Sequence, residues 1–329
     1  MGALFDAATD FWGLRAAARA AARGCAGSVP AARFLADLET EVLRLQRELR
    51  SGAYRPGALH TFAIREPKPR MISAAPFRDR VVHHSVCAAL DAVFEEAADP
   101  DSFACRRGKG TLKALHRIQE HARQWPWFAK LDVLHCFETI DLDVLSEALR
   151  ERIPDPTLLA LIDLFLVVGA EPGGRGLPIG NLTSQHFSNL LLGAVDREAR
   201  RLGVSGWVRY MDDMFLFGPT GAAVKEWADT LAVFIAEGLR QQEKVSARRL
   251  GRTSDGVSAL GFRVWPQRVR FDGARRRRFL RRLRTLDRSV RDGRLLEAEA
   301  ARRAVSMVGW AEQGDTLGLR RSLVASSAR

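Results

Sequence analysis

Apolar residues recur at helical spacing through residues 31–50, where Phe34, Leu38, Val42, Leu45 and Leu49 fall on one face. The same spacing at Val82, Val86, Leu90 and Val93 predicts one long helix from Phe77 to about Ala97. Further helices are expected over roughly 155–168, in "TSQHFSNLLLGAVDREARRL", and at about 221–239. Other stretches change period. "HTFAIREPKPRMISA" (60–74) reads as extended and proline-punctuated, with a basic tip at Lys68 and Arg70. "FAKLDVLHCF" (128–137) alternates as a strand and leads into "TIDLDVLSEAL", where Asp141 or Asp143 suits a helix N-cap. Trp207–Met211 and Met214–Phe217 predict a strand pair, "VSALGFRVWP" a short hairpin, and 275–329 a wholly helical tail. Strands and helices alternate without a regular βαβ unit or internal repeat, so the expected class is α+β with a helical C-terminal appendage.

Composition adds a partner class. The 329 residues are 47% hydrophobic, enough for one large or two modest cores. Lys and Arg number 51 against 39 Asp and Glu, a net charge of +12 that points to a polyanion, nucleic acid before membrane. No apolar run approaches the length of a membrane span. The N-terminus, "MGALFDAATDFWGLRAAARAAARG", shares its Ala/Arg richness with transit peptides. Asp6 and Asp10 count against that reading, and an amphipathic helix packed on the body is expected instead. Cys25, Cys87, Cys105 and Cys136 show no CxxC spacing; reduced core thiols in a cytoplasmic protein are expected, and no zinc site.

"VRYMDDMFLFG" (208–218) sets Asp212 and Asp213 side by side within an apolar run. Adjacent carboxylates repel and are costly to desolvate. A bound cation would reverse that balance; a tight turn would also accommodate them, and a hairpin tip satisfies both. Asp132 ends its predicted strand in the same way. Three carboxylates on neighbouring strands can clamp two divalent ions roughly 3.5–4 Å apart for displacement at phosphorus, and hard oxygen ligands favour Mg²⁺ or Mn²⁺.

The ordered motifs "KPRMI", "KLDVLHCFETID", "GLPIGNLTSQ", "RYMDD", "EKV" and "ALGF" resemble those of reverse transcriptases over about residues 55–320. Intron and retron members of that family usually carry Gln before the glycine and a Ser-Pro pair after it. This chain has Ile179 before Gly180, then Ser184-Gln185, and so resembles the enzymes of diversity-generating retroelements. "PKPRMISAAPFRDRVVHHSV", "SFACRRGKGT" and "RRRRFLRRLR" carry the same likeness. Two departures stand out: Cys136 lies where an aromatic is commoner, and "VGWAEQGDTLGLRRSL" is compressed against the usual thumb motif.

The resemblance implies roles residue by residue. Asp132, Asp212 and Asp213 match the metal-binding aspartates, with the Val133 carbonyl as an extra ligand. Lys68 and Arg70 match finger residues that contact the incoming triphosphate, and Ile179, Gly180 and Gln185 belong to the substrate loop. Phe137 matches the steric gate against a ribose 2′-hydroxyl, Lys244 the proton donor to pyrophosphate, and Leu260, Gly261 and Phe262 the primer grip. Each has a plainer rival: a helix cap for Asp132, core packing for Phe137, a solvated helix-end charge for Lys244. His83 and His84 read as a helix face. Arg106, Arg107 and Lys109 in "RRGKGT" fail the P-loop pattern and read as a basic loop on template phosphates. Arg275, Arg276, Arg277, Arg278, Arg281 and Arg282 begin a run of eight arginines against one aspartate, which reads as a phosphate track.

The implied architecture is a right-hand polymerase: an N-terminal helical extension (1–54), fingers and palm (55–270) and an arginine-rich helical thumb (271–329). The implied activity is RNA-directed DNA synthesis yielding adenine-mutagenised cDNA in a bacterial or phage-encoded element. Its partners would be a template RNA, a DNA or RNA primer, deoxynucleoside triphosphates and a small basic helical accessory protein, itself oligomeric. A retron-like or defence-associated enzyme, or a catalytically silent nucleic-acid scaffold, are the rival readings.

Overall fold

A computed structural model of the chain describes residues 2–65, 69–169, 174–312 and 314–318. The expected Lys68 lies outside them. The chain gathers into two compact units of interleaved stretches: 1–100, 133–198 and 231–244 form one, and 101–132, 199–230 and 245–329 the other.

The first unit is mostly helical. Helix Phe11–Ala21 opens at Asp10, whose carboxylate accepts from the Gly13 N–H at 2.9 Å. Its small buried residues Ala17, Ala18 and Ala21 let it lie close against helix Phe77–Ala89, which buries Val81, Val82 and Val86. The helix expected over 31–50 divides at Asp37 into Val29–Ala36 and Leu38–Arg50. The long helix expected from Phe77 also divides: Leu90, fully buried, adopts φ −90°, ψ 0°, and Asp91 opens a new helix to Ala97 as an acid in its first turn. The 60–74 segment is an antiparallel hairpin of β1 (His60–Ile64) and β2 (Arg70–Ala74), in register from His60 opposite Ala74 to Ile64 opposite Arg70. Helices Leu142–Arg152, Pro156–Gly169 and Leu182–Arg201 complete this part of the chain. Asp141 is the N-cap expected, accepting from the Asp143 and Val144 N–H groups at 3.1 and 3.2 Å.

The second unit is built on a four-stranded antiparallel sheet of β3 (Trp127–Leu131), β4 (Gly206–Tyr210), β5 (Asp213–Gly218) and β6 (Arg249–Arg252), in the order β4-β5-β3-β6. Met214, Phe215, Leu216 and Phe217 are all fully buried, which is why this strand reads as an unbroken apolar run. Helix Thr111–Gln124 contributes Leu115 and Ile118 to the same core. A second sheet of β7 (Val257–Ala259), β8 (Phe262–Val264) and β9 (Val269–Phe271) contributes Phe262 and Phe271, and helix Gly273–Arg291 contributes Phe279. The tail is not wholly helical. Gly293 at φ +69° ends the arginine helix, and helix Glu297–Ala311 follows.

Two further expectations are corrected. The strand expected to continue to Phe137 stops at Leu131; Val133 bridges Glu243 instead, and the chain turns through His135 at φ +48°. None of the four cysteines forms a disulfide, but only Cys87 and Cys136 are buried; Cys105 is exposed, in a loop at φ +55°. Among the described residues no helix is long and apolar enough to cross a membrane.

Candidate active site

The aspartate pair sits at a hairpin tip. Tyr210 pairs with Asp213, so Met211 and Asp212 form a two-residue turn, with Met211 at φ +54°. Leu131 lies opposite Met214; Asp132 follows the first of these and Asp213 precedes the second, so both come to the same end of the sheet, with Asp212 in the adjoining turn. All three are half-buried.

The hairpin is fixed from beneath by Arg209, whose guanidinium is fully buried and donates through Nη1 to the Met211 carbonyl at 3.4 Å. The Arg209 backbone bonds to Asp101 and Phe103, its N–H to the Asp101 carbonyl and its carbonyl to the Phe103 N–H, both at 2.9 Å. Burial works to raise the Asp101 carboxyl, but hydrogen bonds from Arg117 and Arg200 outweigh it and hold the group below its usual value.

Lys130 of β3 forms an ion pair with Asp213, with its ammonium 5.4 Å from the Phe215 ring centre. Among the described residues no three His, Cys, Asp or Glu side chains are gathered closely enough to make a ready metal cluster. The oxygen-only donor set suits a hard divalent cation, with the Lys130 ammonium as its competitor at Asp213.

The primer-grip candidates form the β7–β8 turn. Ala259 pairs with Phe262, and Leu260 and Gly261 both have positive φ, +52° and +81°. A Cβ on Gly261 would lie 2.6 Å from Arg275 Nη1, which itself donates to the Leu260 carbonyl at 2.6 Å. Arg275 is therefore engaged by this turn through one end of its guanidinium. Arg276, Arg277, Arg281 and Arg282 are exposed on the arginine helix, and Arg278 is half-buried. In the basic loop Arg107 is exposed, Arg106 donates to the Ser102 carbonyl at 2.9 Å, and Lys109 Nζ stands 4.8 Å from the Phe103 ring centre.

In the first unit the loop carrying Ile179 and Gly180 is pinned to β2. The Ser73 N–H donates to the Ile179 carbonyl at 2.8 Å, and the Ala75 N–H to Asn181 Oδ1 at 3.0 Å. Gly180, at φ +118°, must lack a side chain: a Cβ there would meet Ile72 Cγ2 at 2.7 Å. Arg70 is exposed where β2 begins, and Gln185 is exposed at the start of helix Leu182–Arg201. Gly180, Asn181 and Gln185 line a cleft with Arg80, His83 and His84. His83 is buried edge-on to Phe165; burial, with the charges of His84 and Arg80, lowers its pKa to about 4. Phe137 is half-buried while Cys136 and Ile140 beside it are fully buried, so its ring is not simple core. Lys244 lies six residues past the end of helix Gly221–Gly238, between the Val133–Glu243 bridge and the short 3-10 helix Val245–Ala247.

Sequence reading missed Lys130, Arg209 and Gln241. Lys130 and Arg209 each lie within three residues of an aspartate of the set, and a charged residue inside an otherwise apolar strand was the available signal. Gln241 had none.

Residues 64–264 match the sequence family described as reverse transcriptase (RNA-dependent DNA polymerase). Among curated proteins the chain is 24% identical over 168 residues to the group II intron-encoded protein LtrA of Lactococcus lactis, covering 48% of this chain and 28% of that protein. It is 24% identical over 209 residues to protein YkfC of Escherichia coli, covering 58% and 55%. It is also 24% identical over 192 residues to nuclear intron maturase 4 of Arabidopsis thaliana, covering 56% and 24%. The chain thus spans about half or less of the length of these relatives. Among solved structures, telomerase from Candida albicans in complex with a telomeric RNA fragment superposes with a TM-score of 0.52 at 11% identity, over 68% of this chain and 48% of that one. Apo telomerase from Candida tropicalis, truncated of its C-terminal domain, gives 0.51 at 11% identity, over 69% and 59%. At such identity the likeness is one of fold.

Proposed function

The chain belongs to the reverse transcriptase (RNA-dependent DNA polymerase) family, and from that premise we propose that it synthesises cDNA on an RNA template with Asp132, Asp212 and Asp213 as its metal-binding set. The observation that supports this reading is the sheet register: the Leu131–Met214 pair brings Asp132 and Asp213 to the same end of the sheet, with Asp212 in the adjoining turn. Divalent ions held there, Mg²⁺ or Mn²⁺, would acidify an attacking hydroxyl and neutralise the leaving oxygen. The three carboxylates, with the Val133 carbonyl, would bind them. Arg209 holds the hairpin that presents two of the three. Lys68 and Arg70 would contact the triphosphate, Lys244 would give a proton to pyrophosphate, and Phe137 would close the space of a 2′-hydroxyl. Leu260–Phe262 would carry the primer. The regions 55–270 and 271–329 would serve as fingers with palm and as thumb.

The finer reading is the enzyme of a diversity-generating retroelement, bacterial or phage-encoded, that makes adenine-mutagenised cDNA with a small basic oligomeric accessory protein. The support is Ile179 before Gly180 and Gln185 after Ser184. A Gln at position 179 could hydrogen-bond beside the nucleotide; a branched aliphatic cannot. A second reading, an intron-encoded enzyme, is favoured by the similarity to LtrA and to the plant maturase. Sequencing cDNA made on a defined RNA, with and without a candidate accessory protein, separates them. Errors concentrated at template adenines support the retroelement reading, and an even, low error spectrum supports the intron one.

A further inference from the structure

The turn that carries Phe137 is bonded from two directions. From one side the Leu177 N–H donates to the Phe137 carbonyl and the Gly176 N–H to the Ile140 carbonyl, both at 2.8 Å. From the other comes Gln241, whose side chain is 1% exposed. Its Nε2 donates to the Cys136 carbonyl at 2.8 Å and to Thr139 Oγ1 at 3.0 Å. These partners fix the orientation of the amide. A carbonyl only accepts, and the Thr139 hydroxyl donates its own hydrogen toward the carbonyls of Leu134 and His135, at 3.1 and 3.2 Å. Both amide hydrogens are therefore committed to the residues flanking Phe137, and Oε1 is left buried with no partner among the described residues.

A buried acceptor without a donor is a costly feature, and native proteins keep few of them. Filling the position does not require it, since Met or Leu would do so without an orphaned oxygen. Holding the two stretches of chain together does not require it either. The backbone already joins them through the Val133–Glu243 bridge and through the Leu134 N–H, which donates to the Gln242 carbonyl at 2.8 Å. Arg240 adds a hydrogen bond to Asp141 Oδ2 at 3.3 Å. What the side chain of Gln241 adds is local. It fixes the carbonyl immediately before Phe137 and the hydroxyl two residues after it, and so sets the height and tilt of a ring that is itself only half-buried.

We infer that Gln241 is a positioning residue for sugar selection: by fixing the turn around Phe137 it sets how closely the ring approaches the 2′ position of the incoming nucleotide. This rests on Phe137 serving as the gate. The test is the ratio of kcat/KM for dCTP to that for CTP in primer extension, measured for the parent protein, Gln241→Met, Thr139→Val and Phe137→Ala. Gln241→Met keeps the length and removes both donors; Thr139→Val removes one acceptor from the other end of the same contact. The ratio should collapse in Phe137→Ala, fall about fivefold to tenfold in Gln241→Met and about threefold in Thr139→Val, chiefly through a lower KM for CTP. A parent-like ratio in Gln241→Met, beside a collapsed one in Phe137→Ala, overturns the role of Gln241 and leaves the gate standing. A parent-like ratio in Phe137→Ala overturns both. If Gln241→Met does not fold, as read by its melting curve, Thr139→Val decides by the same rule.

Discussion

Lys130 holds its ammonium against the carboxylate of Asp213, one strand away and at the mouth of the hairpin that also carries Asp212. An ammonium there meets part of the charge that a divalent ion would otherwise neutralise, and the two compete for one carboxylate. The pair is partly solvated, with Lys130 17% and Asp213 24% exposed, so the competition is modest. Lys130→Gln should lower the Mg²⁺ concentration for half-maximal extension by about two- to fivefold. A rise in that concentration would mean that Lys130 assists binding by orienting Asp213.

The arginine helix divides its charges between structure and surface. Arg275 is engaged with the Leu260 carbonyl, whereas Arg276, Arg277, Arg281 and Arg282 are exposed. Replacing these four with Gln should flatten the dependence of log affinity on log salt for an RNA–DNA duplex by about 0.7–0.9 per lost phosphate contact. Arg275→Gln should instead lower the melting temperature, because it releases the Leu260–Gly261 turn. An unchanged salt slope in the fourfold variant removes this helix from the nucleic-acid surface.

His121 gives a pH signature. It is 4% exposed, stacked on Phe217, and neither ring nitrogen has a partner; burial, with the charge of Arg117 adding to it, lowers its pKa to about 4. Unfolded, the ring takes a proton near pH 6.5, so between that value and 4 the unfolded chain binds more protons. Stability is therefore full above pH 6.5 and is lost as the pH falls toward 4. The contribution of His121 between pH 7.5 and 5 is about 2 kcal/mol. His121→Phe should shrink the loss of melting temperature over that interval, as read by thermal denaturation at both pH values.

Much of this organisation was legible in the sequence, for reasons that differ by element. The 207–217 hairpin was readable because buried strands carry apolar runs and a turn accommodates the aspartates between them, although the turn itself is Met211–Asp212 and Asp213 already opens the second strand. The N-cap at Asp141 and the "ALGF" turn follow from equally local chemistry. The helix breaks at Asp37 and Leu90 were not legible, because apolar spacing continues across both and the break depends on what each side chain packs against. The end of β3 at Leu131 was hidden for the same reason: Val133 is apolar in either setting, and its bridge to Glu243, 110 residues later, is a tertiary choice. Gln241 could not be found at all, since its partners are a carbonyl and a hydroxyl more than 100 residues away.

Ile179 tests the finer reading. Its carbonyl is held by Ser73 and its neighbour Gly180 is sterically obliged, so a substitution at 179 changes the side chain on a fixed loop. Ile179→Gln should lower misincorporation opposite template adenine by about threefold to tenfold, the worth of one hydrogen bond, with extension retained. Deep sequencing of cDNA from both proteins on one RNA, with the accessory protein present, measures it. Equal adenine error rates in the two proteins would contradict a role for Ile179 in adenine errors.

The polymerase assignment itself stands on the three aspartates. Asp212→Asn and Asp213→Asn each remove one charge with little change of shape, at positions that are half-buried and outside the apolar core. The direct measurement is single-nucleotide extension of a primer annealed to RNA, in Mg²⁺ and in Mn²⁺, alongside melting curves for each variant. Extension reduced by at least about a thousandfold in a variant that melts as the parent does is the predicted result. Incorporation within a few-fold of the parent by a folded Asp212→Asn protein would contradict it.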